Sequence, residues 1–367
     1  MPHILQEQIC GGVAEIYVLD KNINILGIFN VYEAIVWDQK WNCPGSFQAQ
    51  FLFTRENNEL LQIENILYKT DASEAGIITR KYLDITEDGH EYIKIAGFMA
   101  SRYLNRRIIW NKMTMTGTAE ALMRKMVYEQ VVSPTDPDRR IPHILLGEEH
   151  GYAGNTIEKQ ITYDNLTDAL TDLSQQSELG YRLTLDLQDK VFYFDVLQGT
   201  NRTLGTEDPC IFSRDFQNIY KQNYEDNSNN VRTVCLTGGK GEDEARVLET
   251  VGEGTGLSRY EMFYNAAGLS DKDLSESQYR QQLAQKGAEE LAKYYRVKSF
   301  ESSINASKAM KYDIGDYVTC YDTSWGITLN AQITEVENDL SKDENSVVLT
   351  FGNSAPTMTQ MIKNAMA

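Results

Sequence analysis

Apolar and polar residues alternate in several short segments of the first hundred residues, and this alternation constrains the fold more than any other feature. Phe47, Ala49 and Phe51 fall on one side of an extended chain, with polar residues between them. The same period of two recurs at 14–18 and at 91–97. Short strands at this spacing, separated by polar turns, predict a sandwich or a barrel of strands.

The period changes in the middle of the chain to that of a helix. Apolar residues form one helical stripe that ends at Val131, and Thr118 can cap its first turn. A second helix is predicted from about Asn165, with Gly180 placed to end it. The alternating segment 183–196 predicts a hairpin, so this part of the chain is expected to form a small α+β unit.

Strand patterns return after Pro209, and one long helix interrupts them. Ser275 begins a capping box at the start of that helix, and Gly287 lies in its narrow apolar stripe. A small residue at that position allows close packing against a neighbouring element. The alternation at 327–334 predicts a further strand, with a bulge near Val336.

Together these patterns predict an α+β fold that is mainly β. We expect two tube-like domains, each a β-barrel or a β-sandwich, with an inserted α+β domain and a small C-terminal β unit. The predicted parts are an N-terminal tube-like β domain (1–115), the α+β domain (116–205), a second tube-like β domain with the long helix (206–311), the small β unit (312–352) and a flexible tail (353–367).

The chain is strongly acidic, which argues against tight binding of nucleic acid. Its 35 Lys and Arg residues stand against 53 Asp and Glu residues, a formal net charge of -18. Such a surface repels a phosphate backbone, although it suits a passage through which nucleic acid slides without sticking. No apolar run is long enough to span a bilayer, and the N-terminus lacks a secretion signal. We therefore expect no stable membrane insertion, and assembly in a cytoplasm.

One segment contains residues that commonly bind metals, but their spacing does not fit a metal site. His143 and His150 flank Glu148 and Glu149. A helical zinc motif needs its ligands on one helix face, and Gly147 interrupts any helix here. We interpret this segment as a polar loop that joins two domains, and no metal site is predicted.

Two glycine-rich segments have only part of a phosphate-binding pattern. In the segment 238–241, Lys240 is followed by the acidic run 242–244, which repels phosphate, and not by the Ser or Thr of a P-loop. The segment 252–256 lacks the later glycine of a dinucleotide fingerprint. We interpret both as turns between strands, and no cofactor is predicted.

The sequence contains no recognisable motif for nucleophilic catalysis, and no catalytic residue is predicted. The alternative of a carboxylate pair that hydrolyses glycosides stays open, because 53 acidic residues offer many candidate pairs. The 21 tyrosines suit repeated protein–protein surfaces. The cysteines are scattered and are predicted to be reduced, mostly buried thiols: Cys10, Cys43, Cys210, Cys235 and Cys320.

Several segments, in their order and spacing, resemble the tail hub proteins of siphophages and prophages, which are related to the N-terminal hub region of tail-associated lysins. The resemblance covers about residues 14–352. The segments that carry it are 118–123, 134–142, 163–166, 180–183, 194–196, 212–218, 238–243, 312–318 and 330–337.

The resemblance implies a structural protein without enzymatic activity at the virion tail tip, assembled in the bacterial host cytoplasm. The members of the resembled family look like a baseplate hub, which is a homotrimer that closes the distal end of the tail tube. Two tube-like domains per subunit would then present a pseudo-sixfold ring to a hexameric tube. The implied partners are the tail tube protein, the distal tail protein, the tape-measure protein, and a tail fibre or spike. Because this chain stops at Ala367, we expect any lysin to be a separate polypeptide.

Two alternatives from other classes stay open. A tail-associated peptidoglycan hydrolase would act through a carboxylate pair, and a receptor- or carbohydrate-binding tail module would act without forming a ring. For the hub, we hypothesise that part of the excess acid lines the lumen and keeps exiting DNA from adhering. Solvated outer faces are the simpler explanation for most of the acidic residues.

Overall fold

A computed structural model describes residues 15–272, 274–304, 310–341 and 345–352. The predicted tail 353–367 and Cys10 lie outside the described residues. The chain divides into two compact units. Unit 1 contains the described residues up to Asn223 together with Phe300–Gly352, and unit 2 contains the described residues of Tyr224–Ser299.

The described residues form four α-helices and a larger set of strands. The helices are α1 (Arg55–Leu60), α2 (Ala119–Val127), α3 (Leu166–Ser177) and α4 (Glu276–Leu291). The strands are β1 (Ile16–Leu19), β2 (Ile25–Phe29), β3 (Ala34–Lys40), β4 (Ser46–Leu52), β5 (Ile66–Lys69), β6 (Gly76–Ile85), β7 (Glu91–Met99), β8 (Met113–Gly117), β9 (Ile144–Leu146), β10 (Ile157–Ile161), β11 (Gly180–Asp186), β12 (Val191–Leu197), β13 (Ile211–Phe212), β14 (Ile219–Asn227), β15 (Val234–Gly238), β16 (Leu248–Gly252), β17 (Glu261–Asn265), β18 (Val297–Ile304), β19 (Tyr317–Asp322), β20 (Ile327–Ser341) and β21 (Asn345–Gly352).

One large sheet joins strands from both ends of the chain. Its order is β14-β18-β21-β20-β3-β4-β7-β6-β5-β1-β2, and β19 pairs with β20 and with β13 beside this path. The N-terminal and C-terminal strands meet where β3 pairs antiparallel with β20, from Lys40 opposite Glu335 to Ala34 opposite Ser341. The predicted mainly β, α+β fold class is confirmed.

The strand order corrects one expectation about the architecture. A barrel closes when its first and last strands pair, but within the described residues the path stays open, with β14 and β2 at its ends. The predicted strands therefore form an open sheet and not a closed barrel. The five-part division of the chain stays a prediction, because sheet membership does not define independent folding units.

The alternation predicted for the first strands produces one buried face. Ile35 and Trp37 of β3 and Phe47 of β4 are at most 2% exposed. The rings of Trp37 and Phe47 lie with their centroids 5.4 Å apart. Gly97 of β7 is required here, because a Cβ at this position would lie 1.8 Å from the backbone oxygen of Ile77.

The middle of the chain forms the predicted helices and hairpin. The Asn165 side chain accepts a hydrogen bond from the Thr167 amide at 2.9 Å and so caps α3. Strands β11 and β12 form the hairpin, and β9 adds to β12 in parallel. The predicted helix end was wrong: Glu178, with a φ of 61°, ends α3, whereas Gly180 begins β11.

In unit 2, α4 packs on a three-stranded sheet with the order β16-β15-β17. The predicted capping box is confirmed: the Gln278 amide donates to Ser275 Oγ, and the Ser275 amide donates to Gln278 Oε1. Gly287 faces β15 so closely that a Cβ there would lie 2.1 Å from Thr237 Oγ1. The prediction of close packing at this glycine is therefore confirmed.

The C-terminal strands contain the predicted irregularity slightly earlier than expected. Between β20 and β21, Ile333 is opposite Phe351 but Glu335 is opposite Thr350. Thr334 is thus the extra residue, two positions before Val336. The bulge shifts the faces of β20, so that Ile333 and Val336, three positions apart, are both buried opposite Phe351 and Leu349.

We expect the substitution Gly287→Ala to destabilise α4, although alanine is the better helix former by about 1 kcal/mol. The new methyl group would overlap Thr237 Oγ1, and overpacking of this kind costs about 1–3 kcal/mol. Hydrogen exchange of the α4 amides in the full chain measures the effect. Gly268→Ala is the control, because a Cβ there meets nothing within 4 Å. Slower exchange in Gly287→Ala than in the natural chain would refute the packing argument.

Candidate functional surface

A single face of the large sheet is polar from the N-terminal strands across to the C-terminal ones. In an antiparallel ladder, residues directly opposite each other point to the same side. The face defined in this way, hereafter the polar face, includes Asp38, Lys40, Gln48, Gln50, Lys94, Glu335, Glu337, Asp339, Ser346 and Thr350. Apolar residues interrupt it, among them Val36, Leu52, Ala96 and Phe98.

The two faces of the sheet differ sharply in burial. On the core side, Ile93 and Ile95 of β7 and Leu349 of β21 are buried. On the other side, Gln48 and Asp339 are exposed, and the remaining members of the polar face other than Asp38 are half-buried. A sheet with one apolar and one hydrated face is the usual arrangement for antiparallel strands.

Asp38 is the buried centre of the polar face and has incomplete hydrogen bonding. Its carboxylate Oδ2 lies 3.5 Å from Lys40 Nζ and accepts a hydrogen bond from Ser46 Oγ at 3.3 Å. Oδ1 is buried and accepts no hydrogen bond from the described residues. Lys40 Nζ also lies 2.9 Å from Glu335 Oε1, so one lysine serves two carboxylates.

The charges around Asp38 are mostly of one sign. Burial, followed by the negative charge of Glu335, raises the pKa of Asp38 to about 7. Burial and then the charges of Glu335 and Asp339 raise the pKa of Glu337. The row of acidic residues along β20 therefore produces a local negative potential that would repel an anionic polymer.

The histidine-containing segment is fixed to α2 by hydrogen bonds. Buried Glu120 accepts hydrogen bonds from the amides of His150 and Tyr152, at 2.7 and 2.9 Å. Arg124 donates to the carbonyls of Gly147 and Glu148. Among the described residues, no three potential ligands come close enough to hold a metal ion. The geometry gives these residues a structural role. The segment is not a loop throughout, because Ile144–Leu146 forms β9 and pairs with β12. Its role as a link between two domains stays a prediction.

The glycine-rich segments are turns and packing positions, as predicted. Lys240 forms an ion pair with Asp271, and its amide donates to Tyr279 Oη of α4 at 2.7 Å. Gly241 and Gly252 have φ values of 94° and 90°, which favour glycine. The cysteines in the described ranges, Cys43, Cys210, Cys235 and Cys320, are free thiols, as predicted.

Two buried aspartates hold loops together and were not singled out from the sequence. Asp316 accepts hydrogen bonds from the Thr200 amide at 2.8 Å and from Arg202 Nε at 2.9 Å. Burial opposes ionisation of Asp322, but hydrogen bonds from groups that include Ser324 and Arg214 lower its pKa well below the usual range. Asp316 directly precedes β19, and Asp322 is its last residue. Segment 312–318 contributed to the family resemblance, but nothing in the sequence indicated that these two carboxylates are buried.

The last strand of the sheet path presents apolar side chains at an unpaired edge. In β2, Ile25, Leu26 and Ile28 are 44–56% exposed. β2 pairs with β1 on one side and, within the described residues, with no strand on the other. An edge of this kind offers free backbone donors and acceptors next to apolar surface, which is a favourable surface for another chain.

In the described ranges, no helix is both long and apolar enough to cross a bilayer. The chain was also compared with curated proteins by sequence, and none matches. A family model described as Siphovirus ReqiPepy6 Gp37-like protein matches residues 15–353.

Several solved structures share this fold over most of the chain. The tail protein from Neisseria meningitidis MC58 has a TM-score of 0.56 at 13% identity, over 93% of this chain and 97% of its own length. The 43 kDa tail protein of prophage MuSo2 from Shewanella oneidensis has a TM-score of 0.55 at 10% identity, over 92% and 97%. Prophage tail protein gp18 from Listeria monocytogenes EGD-e has a TM-score of 0.53 at 14% identity, over 96% and 100%.

We expect the substitution Asp38→Asn to stabilise the fold at pH 8 and to have little effect near pH 4. The folded-state pKa of Asp38 is raised to about 7 from an ordinary value of 3.8. Between these values the unfolded chain binds fewer protons than the folded chain, so the Asp38 contribution to stability falls as pH rises. Thermal melts of both proteins between pH 4 and pH 8 measure the difference.

The control for this prediction is Asp339→Asn, which removes an exposed carboxylate from the same face. Its melting temperature should differ from that of the natural chain by an amount that changes little with pH. A growing loss of stability in Asp38→Asn as pH rises would show that the ionised carboxylate is favourable in the fold.

Proposed function

The chain belongs to the family of Siphovirus ReqiPepy6 Gp37-like proteins, and we propose from this premise that three copies form a hub that closes the distal end of a phage tail tube. The fold is that of phage and prophage tail proteins. The proposed role is structural, and the proposed location is the tip of the virion tail.

The observation that carries the proposal is the pairing of β3 with β20. This pairing makes one continuous sheet from an N-terminal group of strands and a C-terminal group. Each subunit would therefore contribute two sheet segments side by side. Three subunits contribute six segments, so that a threefold ring can match a sixfold tube edge to edge.

The open ends of the sheet path support assembly through strand edges. β2 and β14 each have one side without a partner strand in the described residues. Ring formation and docking to the tube would bury such edges together with exposed apolar side chains such as Ile28 and Val31. Burial of this surface supplies the driving force that an acidic subunit needs in order to associate.

The polar face is the proposed lining of the central passage. Glu335, Glu337 and Asp339 would place negative charge next to DNA that leaves through the tail. Like charges keep the DNA mobile, since a polyanion binds a protein mainly by exchanging its counterions for cationic side chains. The proposed partners of the hub are the tail tube protein, the distal tail protein, the tape-measure protein, and a fibre, spike or separate lysin.

A purified full chain should form a species of three times the monomer mass, measured by size-exclusion chromatography with light scattering. Ile28→Lys should reduce this species and its binding to tail tube protein, because a charged side chain would enter the buried edge of β2. Circular dichroism of the variant should show an unchanged fold.

Leu257→Lys is the matched control, since Leu257 is 99% exposed in unit 2. This variant should assemble as the natural chain does. A natural chain that stays monomeric at all concentrations, with and without tube protein, would refute the hub. Clearing of a peptidoglycan gel by the natural chain would favour the hydrolase alternative instead.

In an assembled phage, neutral substitution of the β20 acids (Glu335→Gln, Glu337→Gln and Asp339→Asn) should leave tail assembly intact and slow DNA release. The physical reason is the lost repulsion between the passage and the DNA backbone. Release kinetics are measured by fluorescence of a DNA-binding dye after ejection is triggered. Neutralisation of Glu56 and Glu59 on α1 is the control, and equal kinetics in all three phages would refute the lining.

A further inference from the structure

Half-buried Arg107 and Arg139 and exposed Trp110 form a surface cluster, hereafter the arginine–tryptophan patch. The guanidinium of Arg139 lies 5.0 Å from the ring centroid of Trp110, and the Trp110 side chain is 56% exposed. Tyr163 belongs to the neighbouring segment, because its amide donates to the Ile109 carbonyl, and its side chain is 74% exposed. Tryptophan, tyrosine and arginine are the residues most enriched at the energetic centres of protein interfaces.

The patch is held in place by neutral groups. Arg139 donates to the Ile108 carbonyl at 2.8 Å and to Oε1 of buried Gln130 at 3.0 Å. The Trp110 amide donates to the same Gln130 oxygen. The side chains are therefore prearranged by the fold, which lowers the entropic cost of binding a partner.

The positive charge of the patch is not compensated by a carboxylate. Arg107 donates to the carbonyls of Arg139 and Arg106, and no carboxylate of the described residues pairs with Arg107 or Arg139. Burial and the positive charges of Arg139 and Arg106 lower the pKa of Arg107. A carboxylate from outside would relieve this repulsion and form charge-assisted hydrogen bonds.

The net charge of the chain indicates what such a patch can attract. Two copies with a formal charge of -18 each repel one another at long range, so a local site of opposite charge would favour their association. In a ring, each subunit uses one surface to contact a different surface of its neighbour. A cationic patch on one copy and an acidic segment on the next satisfy both requirements.

Unit 2 contains an acidic segment that suits this contact. Glu242, Asp243 and Glu244 are consecutive and exposed, and they form no ion pair among the described residues. The turn that carries them is closed by hydrogen bonds from the Ala245 amide to the Glu242 carbonyl and from the Val247 amide to the Lys240 carbonyl. We refer to residues 242–244 as the acidic turn.

We propose that the arginine–tryptophan patch of one copy binds the acidic turn of a second copy and so forms part of the boundary between neighbouring subunits. This inference rests on the proposed hub, and it adds the residues at which two subunits meet. Arg107 and Arg139 bind the carboxylates, while Trp110 contributes apolar contact area next to them.

Charge reversal at the patch tests the contact. Arg139→Glu in the full chain should raise the dissociation constant of the assembly about tenfold or more, because attraction becomes repulsion across the boundary. Sedimentation velocity over a range of protein and salt concentrations measures this constant. Arg102→Glu is the control, because Arg102 also lies on an aromatic ring, that of Phe98, and has no carboxylate partner in the described residues.

A reciprocal variant makes the test specific for the two surfaces. Glu242→Arg with Glu244→Arg should weaken assembly to a similar extent, whereas Glu148→Arg with Glu149→Arg changes the net charge equally and should not. Combining Arg107→Glu and Arg139→Glu with the reversed acidic turn in one chain should restore assembly. Trp110→Ala keeps every charge and should weaken assembly at all salt concentrations. This variant still tests the contact if reversal of the arginine charges prevents folding.

The outcomes separate this inference from the hub itself. If the natural chain assembles and the folded patch variants assemble equally well, the contact is wrong and the hub stands. If the natural chain does not assemble, both are wrong. If the variants assemble but no longer bind purified anionic cell-wall glycan that the natural chain binds, the patch recognises a glycan and the proposed contact is overturned.

Discussion

The antiparallel pairing of β3 with β20 is the constraint on which the rest of unit 1 depends. It joins strands separated by nearly the whole chain, and it fixes which side chains of the two halves share a face. A shift of one residue would exchange the environments of Trp37 and Asp38, placing the indole in water and the carboxylate in the core. This register therefore determines both the apolar core on one side of the sheet and the hydrated surface on the other.

In the proposed assembly, the excess of acidic residues suits the passage of DNA but opposes the association of subunits. A row of carboxylates on β20 suits a passage for DNA. Burial first, and then the negative charge of these carboxylates, raises the pKa of Glu337 and of Asp38, so the carboxylates also repel one another within one subunit. The same excess of acid opposes the approach of further copies. In the proposed assembly, apolar strand edges and a few uncompensated cations would provide the attraction between such acidic subunits.

Local signals in the sequence predicted local structure well. Thr118 and Ser275 were identifiable as caps because their side chains bond to amides three residues later. The partner of β3 could not be predicted, because an alternating pattern shows that a strand has two different faces and not which strand lies beside it. The cluster of Arg107 with Arg139 was equally hidden, since 32 positions separate them and a backbone carbonyl connects them.

Unit 2 begins in β14 and ends in β18, and these strands are neighbours in the large sheet. The chain therefore leaves the large sheet at β14 and returns to it at the neighbouring strand β18. Sites with this geometry accept insertions of varied length, because the flanking strands keep their pairing whatever lies between. We therefore expect this module to tolerate exchange, enlargement or shortening while the pairing of the flanking strands stays the same.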